Sequence, residues 1–241
     1  MLGILLRTVT NPNVPLRFWN LGGPGECAMA NPGWSVVLGE LNRDQCRELA
    51  DKLREEAYPS VLGLDGKAVW FAERAAGHGH VFAPPKLQRI HALRQAPRRP
   101  IAPGRARPVT VDDAEFFFRW SRDFIREVGL SDPVPSLEEV RVILARDQHM
   151  FWEVDGRPVS MAAITRRTPR TAAISYVYTP AEHRGRGYAG SITATVAERI
   201  FSEGRSAACL FTDLANPVSN RCYARIGFEK VCDAAYIRRI K

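Results

Sequence analysis

Residues 183 to 190 read His-Arg-Gly-Arg-Gly-Tyr-Ala-Gly, and the patterns on either side of this run give it a chemistry. Before it, Thr171 to Thr179 is apolar, β-branched and aromatic, as a central strand requires, and Pro180 ends that stretch. After it, Ala189, Ile192, Val196, Ala197 and Ile200 recur at helical spacing until Gly204. A turn containing Gly185 and Gly187 lets backbone N–H groups converge without side-chain obstruction. A helix that starts there directs the positive end of its dipole to the same spot. Arg184 and Arg186 add cationic donors, so the turn suits a pyrophosphate. The G-x-x-x-x-G-K-[ST] pattern is missing, which excludes a nucleoside-triphosphate P-loop.

The next segment narrows the choice. Ala207 to Leu214 reads as a second buried strand, Asn216-Pro217 starts a short helix through Ser219 and Tyr223, and Ile226-Gly227-Phe228 closes it. Arg184-Gly-Arg-Gly-Tyr-Ala189 fits [QR]-x-x-G-x-[GA], and Asn216 followed by Cys222-Tyr-Ala-Arg-Ile-Gly-Phe228 fits N…Y-x-x-x-G-F. In this order, from about Arg105 to Lys241, these residues resemble the GNAT superfamily of acetyl-CoA-dependent N-acetyltransferases.

The resemblance implies an α/β fold of the α+β type. Its sheet would be mixed, mostly antiparallel and flanked by helices, splaying between Ile174–Thr179 and Ala207–Leu214 with coenzyme A in the split. Backbone groups of Val177, Tyr178 and Thr179 would pair with the pantetheine arm. The amides of Arg184, Gly185, Arg186, Gly187, Tyr188 and Ala189 would hold the pyrophosphate, and Asn216 and Ser219 would touch the cofactor from the other side. An N–H near Val177 would face the thioester oxygen. The implied activity is an EC 2.3.1-type acyl transfer, in which a primary amine attacks acetyl-CoA directly and no metal takes part. Tyr223 takes the family position of the general acid that protonates the departing thiolate. Many members carry a Glu on the splayed strand, where this sequence has Ser175-Tyr176. A water chain, Glu153, or an acceptor of low amine pKa remain as ways to remove the amine proton, although Glu153 also reads as a solvated edge residue. The acceptor, a small-molecule or peptide amine, stays open.

Other elements must position this constellation. Phe116, Phe117, Trp120, Phe124 and Val128 share one helix face, with Thr110 and Asp113 capping before it and Gly129 after it. Ser136-Leu-Glu-Glu139 is a capping box for a second helix, and Asp155-Gly156 joins His149–Val154 to Arg157–Ile164 as a hairpin. Gln95 to Pro108, rich in Pro and Arg, reads as a linker. The division is therefore 1–95, an accessory or degenerate GNAT-like part without the loop motif; 96–108, the linker; and 109–241, the acetyltransferase part. In the first part, Leu41 to Ala57 reads as a helix capped by Asn42 and Gln45, Leu16–Asn20 and Trp34–Leu38 as strands, and Lys67–Arg74 and Leu87–Leu93 as short helices. Its role is expected to be in the acceptor pocket or an interface. His78 and His80 read as exposed loop histidines, since no third ligand is spaced for a metal.

The 241 residues are 45% hydrophobic and 25% charged, which excludes collagen-like and wholly disordered classes. Five cysteines, Cys27, Cys46, Cys209, Cys222 and Cys232, are odd in number and form no C-x-x-C pair, so a reducing cytoplasm is expected. Met1–Leu6 is shorter than a signal h-region, and no run approaches the roughly 18 apolar residues of a membrane span. Net charge is +8, with 13 basic against 9 acidic residues before residue 100 and 21 against 17 after it. That excess suits an anionic ligand. A non-catalytic acyl-CoA sensor is the alternative from another class. An RNA-associated basic protein, suggested by Arg98, Arg99, Arg105 and Arg107, is disfavoured because no aromatic residues are interleaved with them. The sequence does not decide between monomer and homodimer.

Overall fold

The computed structural model describes residues 15–98, 102–129, 134–145 and 148–241; Met1–Leu6 and Arg99 lie outside these. The strands are β1 (Arg17–Asn20), β2 (Cys27–Ala30), β3 (Val36–Leu38), β4 (Ser60–Leu64), β5 (Lys86–Leu93), β6 (Arg105–Pro108), β7 (His149–Val154), β8 (Arg157–Thr165), β9 (Thr171–Tyr178), β10 (Ala207–Asp213) and β11 (Glu229–Arg238). The helices are α1 (Arg43–Lys52), α2 (Lys67–Ala76), α3 (Ala114–Val128), α4 (Leu137–Leu144), α5 (Tyr188–Ser202) and α6 (Pro217–Ile226).

One 11-stranded sheet runs in the order β1-β2-β3-β4-β11-β5-β10-β9-β8-β7-β6. Among the described residues its pairings are antiparallel except β3 with β4 and β9 with β10. The two parallel pairs mark a repeat. In each half a strand, a helix and a parallel strand (β3-α1-β4, β9-α5-β10) are followed by a helix and a last strand (α2-β5, α6-β11). Those last strands are exchanged. β11 from the end of the chain lies beside β4, while β5 from the first half lies between β11 and β10.

Alternation along the strands separates two faces. On one face, Ala162 and Ile164 of β8, Ile174 of β9 and Leu210 of β10 pack against Ile192, Val196 and Ile200 of α5 and Ile226 of α6. On the other, Phe151 and Met161 meet Phe117 of α3 and Val140 and Leu144 of α4. A third cluster joins α1 and α2 to β2, β3, β4 and β11. Each fully buried side chain of this kind, Ile192, Ile200 and Ile226 among them, contributes about 1.5–3 kcal/mol.

The expected caps form. Asn42 with Gln45 and Ser136 with Glu139 close reciprocal capping boxes, Thr110 with Asp113 does the same ahead of α3, and Gly129 ends α3 at φ +64°. Three readings change. Leu87–Leu93 is not a helix: its Leu, Gln, Arg and Ala favour one, but ladders to β10 and β11 on both sides hold it as a central strand. The helix expected over Leu41–Ala57 ends at Lys52, with Leu53 as its C-cap. Arg105–Pro108, inside the expected linker, forms edge strand β6 on β7, where Pro108 is tolerated.

Candidate functional site

β9 and β10 pair only from Thr171 opposite Ala207 to Ile174 opposite Leu210. Beyond that point Ser175–Tyr178 and Phe211–Asp213 run on without pairing to each other, which is the expected splay. Its cause is local. β8 and β9 lose register between Met161–Tyr178 and Ala163–Ser175, so β9 carries one extra residue, and Tyr176 there adopts φ +53°. A bulge of this kind bends its strand, turning the end of β9 away from β10.

The chain leaves β9 through a single 3₁₀ turn, Ala181–His183, and enters the loop at Arg184. Gly185 and Gly187 have φ +78° and +82°, conformations that favour glycine, and Gly187 is the N-cap of α5 without any side-chain cap. Among the described residues, the N–H groups of Gly185, Arg186 and Gly187 have no protein acceptor. Donors of a helix's first turn are likewise left over by the helix itself. The side chain of Tyr188 is buried, and Ala189 is half-buried.

Arg184 departs from expectation. Its N–H donates to Ala181 O at 3.2 Å, its Nε to Thr179 O at 2.8 Å and its Nη2 to Glu127 at 2.6 Å, so it braces the loop against α3. The exposed Arg186 makes no ion pair among the described residues and is the available cation. Of the expected strand groups, Tyr178 O accepts from Ser160 Oγ, and Thr179 Oγ1 lies 2.9 Å from that hydroxyl. The Val177 side chain packs with the α5 and α6 cluster.

Across the splay stands α6. Asn216 is its N-cap, accepting from Ser219 N at 3.0 Å, and Pro217 follows at the first helical position. Tyr223 is 8% exposed, its ring edge-on to Phe228 at 6.0 Å. Burial pushes the phenol pKa up from its ordinary value. Its hydroxyl has no protein partner among the described residues.

Two side candidates resolve. Glu153 is buried and ion-paired to Arg107, which also holds Asp113, so it is neither a solvated edge residue nor a free base. Removing the cation would strand a buried carboxylate, so Arg107→Met is expected to lower stability in urea by about 3–5 kcal/mol; an unchanged midpoint would contradict it. Desolvation raises the thiol pKa values of Cys209 and Cys222, which makes both poor nucleophiles. In the first half, His78 is exposed as expected and lies 2.5 Å from Asp51, whereas His80 is buried, against the expectation. Residues that sequence reading passed over are His149, held neutral between Phe117 and Tyr176 with a pKa pushed down to about 4 by burial, and the group His91, Thr212 and Asn220 behind the splay.

Gly185, Gly187 and Gly190 also have the G-x-G-x-x-G spacing of dinucleotide-binding turns, but those belong to mostly parallel sheets. Residues 154–237 match the FR47-like protein family. No curated protein matches the sequence. Among solved structures, the chain is similar to a GCN5-related N-acetyltransferase from Kribbella flavida, with TM-score 0.66 and 15% identity over 100% of this chain and 96% of that one. The GNAT fold is present. A tandem GNAT protein from the clavulanic acid biosynthesis pathway is similar too, with TM-score 0.58 and 13% identity over 98% of this chain and 86% of that one. A Drosophila protein superposes with TM-score 0.71 and 14% identity over 97% and 86%.

Within the GNAT fold the first half has the same strand-helix-strand unit with its anion position closed. At the start of α1, Asn42 accepts from Gln45 N, Gln45 Oε1 accepts from Asn42 N, and Gln45 Nε2 donates to Glu26. The side chains of Asn42 and Gln45 thus occupy N–H groups at the start of α1, where α5 has no side-chain cap, and the Glu26 carboxylate lies against Gln45. Among the described residues no cluster of three potential metal ligands occurs, and no helix is long and apolar enough to cross a membrane.

Proposed function

We propose that the chain is an N-acetyltransferase that binds acetyl-CoA in the splay between β9 and β10 and passes the acetyl group to a primary amine of a small molecule or peptide. What carries this reading is the uncapped Gly185–Gly187 turn at the head of α5, set at the mouth of an unpaired gap between two strands. The bare N–H groups and Arg186 would take the pyrophosphate, and the open edges near Val177, Tyr178 and Thr179 the pantetheine arm. Asn216 and Ser219 would contact the cofactor from α6. Acetyl-CoA supplies an activated thioester. Around it, an N–H near Val177 would stabilise the oxyanion and Tyr223 would hold the proton that the thiolate needs. Glu153 being locked by Arg107, the amine proton would leave through water, or the acceptor would arrive neutral.

Binding is tested first. At a hundredfold excess over Kd, acetyl-CoA should stabilise the wild type by about 2.7 kcal/mol, read as a rise in Tm. Gly187→Asn keeps a residue that tolerates positive φ, whereas Gly187→Asp adds a negative charge in the same place. The rise should persist in the first and vanish in the second. An equal rise in both folded variants would place the cofactor elsewhere. Thiol release over an amine library then tests transfer. The missing carboxylate on β9 favours the non-catalytic acyl-CoA sensor as the second reading, and binding without turnover on any amine would support it.

A further inference from the structure

Along α6, Asn216, Asn220 and Tyr223 are spaced four and three residues apart, so they form one stripe of the helix. The outer two are expected to face the cofactor; the middle one is held from behind. Asn220 Nδ2 donates to Asp213 O at 3.0 Å and Asn216 O at 2.8 Å, which fixes the orientation of the amide, because carbonyl oxygens can only accept. Its Oδ1 therefore accepts from Thr212 Oγ1 at 2.7 Å. With that proton committed, Thr212 Oγ1 accepts from His91 Nε2 at 3.2 Å, and His91 must be the Nε2–H tautomer. The remaining atom, His91 Nδ1, is buried without a partner. His91 and Thr212 are 6% and 4% exposed, so the chain of donors is shielded from water.

We propose that His91, Thr212 and Asn220 are positioning residues for the cofactor. They clamp the Asp213–Asn216 turn, which connects the end of β10 that has parted from β9 to α6, and thereby set Asn216 and Tyr223 against the splay. The clamp is built across both halves of the chain, since His91 lies on β5 and reaches Thr212 on β10 over 121 positions. This role rests on the acetyl-CoA reading above and assigns the first half a share in it.

Isothermal titration with acetyl-CoA, alongside thermal unfolding, tests the clamp. Thr212→Val keeps the shape of the residue and removes its bonds to Asn220 and His91, together with a long contact to Arg89 O, and Asn220→Asp keeps the shape but cannot donate to two carbonyls. Each is expected to weaken binding by about tenfold or more in protein that still unfolds cooperatively. His91→Phe should weaken it as well, whereas His91→Gln, which offers an N–H at the Nε2 position, should restore affinity to within about threefold of wild type. A folded Thr212→Val with lowered Tm but wild-type affinity would overturn the positioning role and leave these residues merely structural. Absence of binding by the wild type would overturn the acetyl-CoA reading itself, and the clamp's role with it.

Discussion

Residues 102–241, produced without the first half, are expected to lack a cooperative unfolding transition and to bind no acetyl-CoA, while refolding them with residues 15–98 should restore both. The reason is the exchange of last strands. Cutting the chain at the Pro/Arg-rich stretch takes β5 from between β10 and β11, which leaves the Ala208–Asp213 ladder of β10 open and strips β11 of both its neighbours. Ala234, Ala235, Tyr236 and Ile237 are at most 5% exposed in the whole chain. Uncovering Tyr236 and Ile237 costs about 1.5–3 kcal/mol each, against a total of about 5–15 kcal/mol for a typical protein. The cofactor gap would lose its wall at the same time, because β10 would keep only the short pairing with β9. Circular dichroism melts and titration calorimetry of the separate and refolded pieces provide the check, and a sharp melt with binding by residues 102–241 alone would refute it.

What the sequence disclosed, and what it hid, divides along the same line. The loop before α5 was legible because its function needs backbone freedom at Gly185 and Gly187 and a helix start, all written within a few residues. The capping boxes at Asn42 and Ser136 and the turn at Asp155-Gly156 were legible for the same reason. β5 was misread because its residues are adequate helix formers and its strand state comes from β10 and β11, more than a hundred positions away. β4 and β11 carried no recognisable strand signal, and without them the exchange could not be foreseen. In the site, Tyr223 and Asn216 followed from a short motif. The bracing of Arg184 by Glu127, the locking of Glu153 by Arg107 and the His91–Thr212–Asn220 group depend on long-range contacts. No single stretch of sequence contains them.

Tyr223→Phe is expected to cut the rate of acetyl transfer by at least about tenfold, within the 10²–10⁴-fold range of positioned proton donors, while leaving acetyl-CoA affinity within a few-fold and Tm nearly unchanged. The structural half of this expectation is unusually clear. The ring packs against Phe228 among the buried residues of α5 and α6, and the substitution preserves that packing. The hydroxyl has no protein partner among the described residues, so its removal breaks no hydrogen bond within the protein. Packing within the protein therefore gives no reason for the oxygen at this position. The chemical half follows from its acidity: burial raises the phenol pKa above its ordinary value, so the group stays protonated across the neutral range. An acid of this kind loses its contribution only as pH rises through its own pKa, so the wild-type rate should show no alkaline fall from Tyr223 below about pH 10. The measurement is the single-turnover rate with an acceptor in hand and thiolate departure limiting, recorded from pH 6 to 10. Equal rates for folded Tyr223→Phe and wild type across that range would remove the phenol from the mechanism, leaving the oxyanion donor near Val177 and the binding of both substrates to account for catalysis.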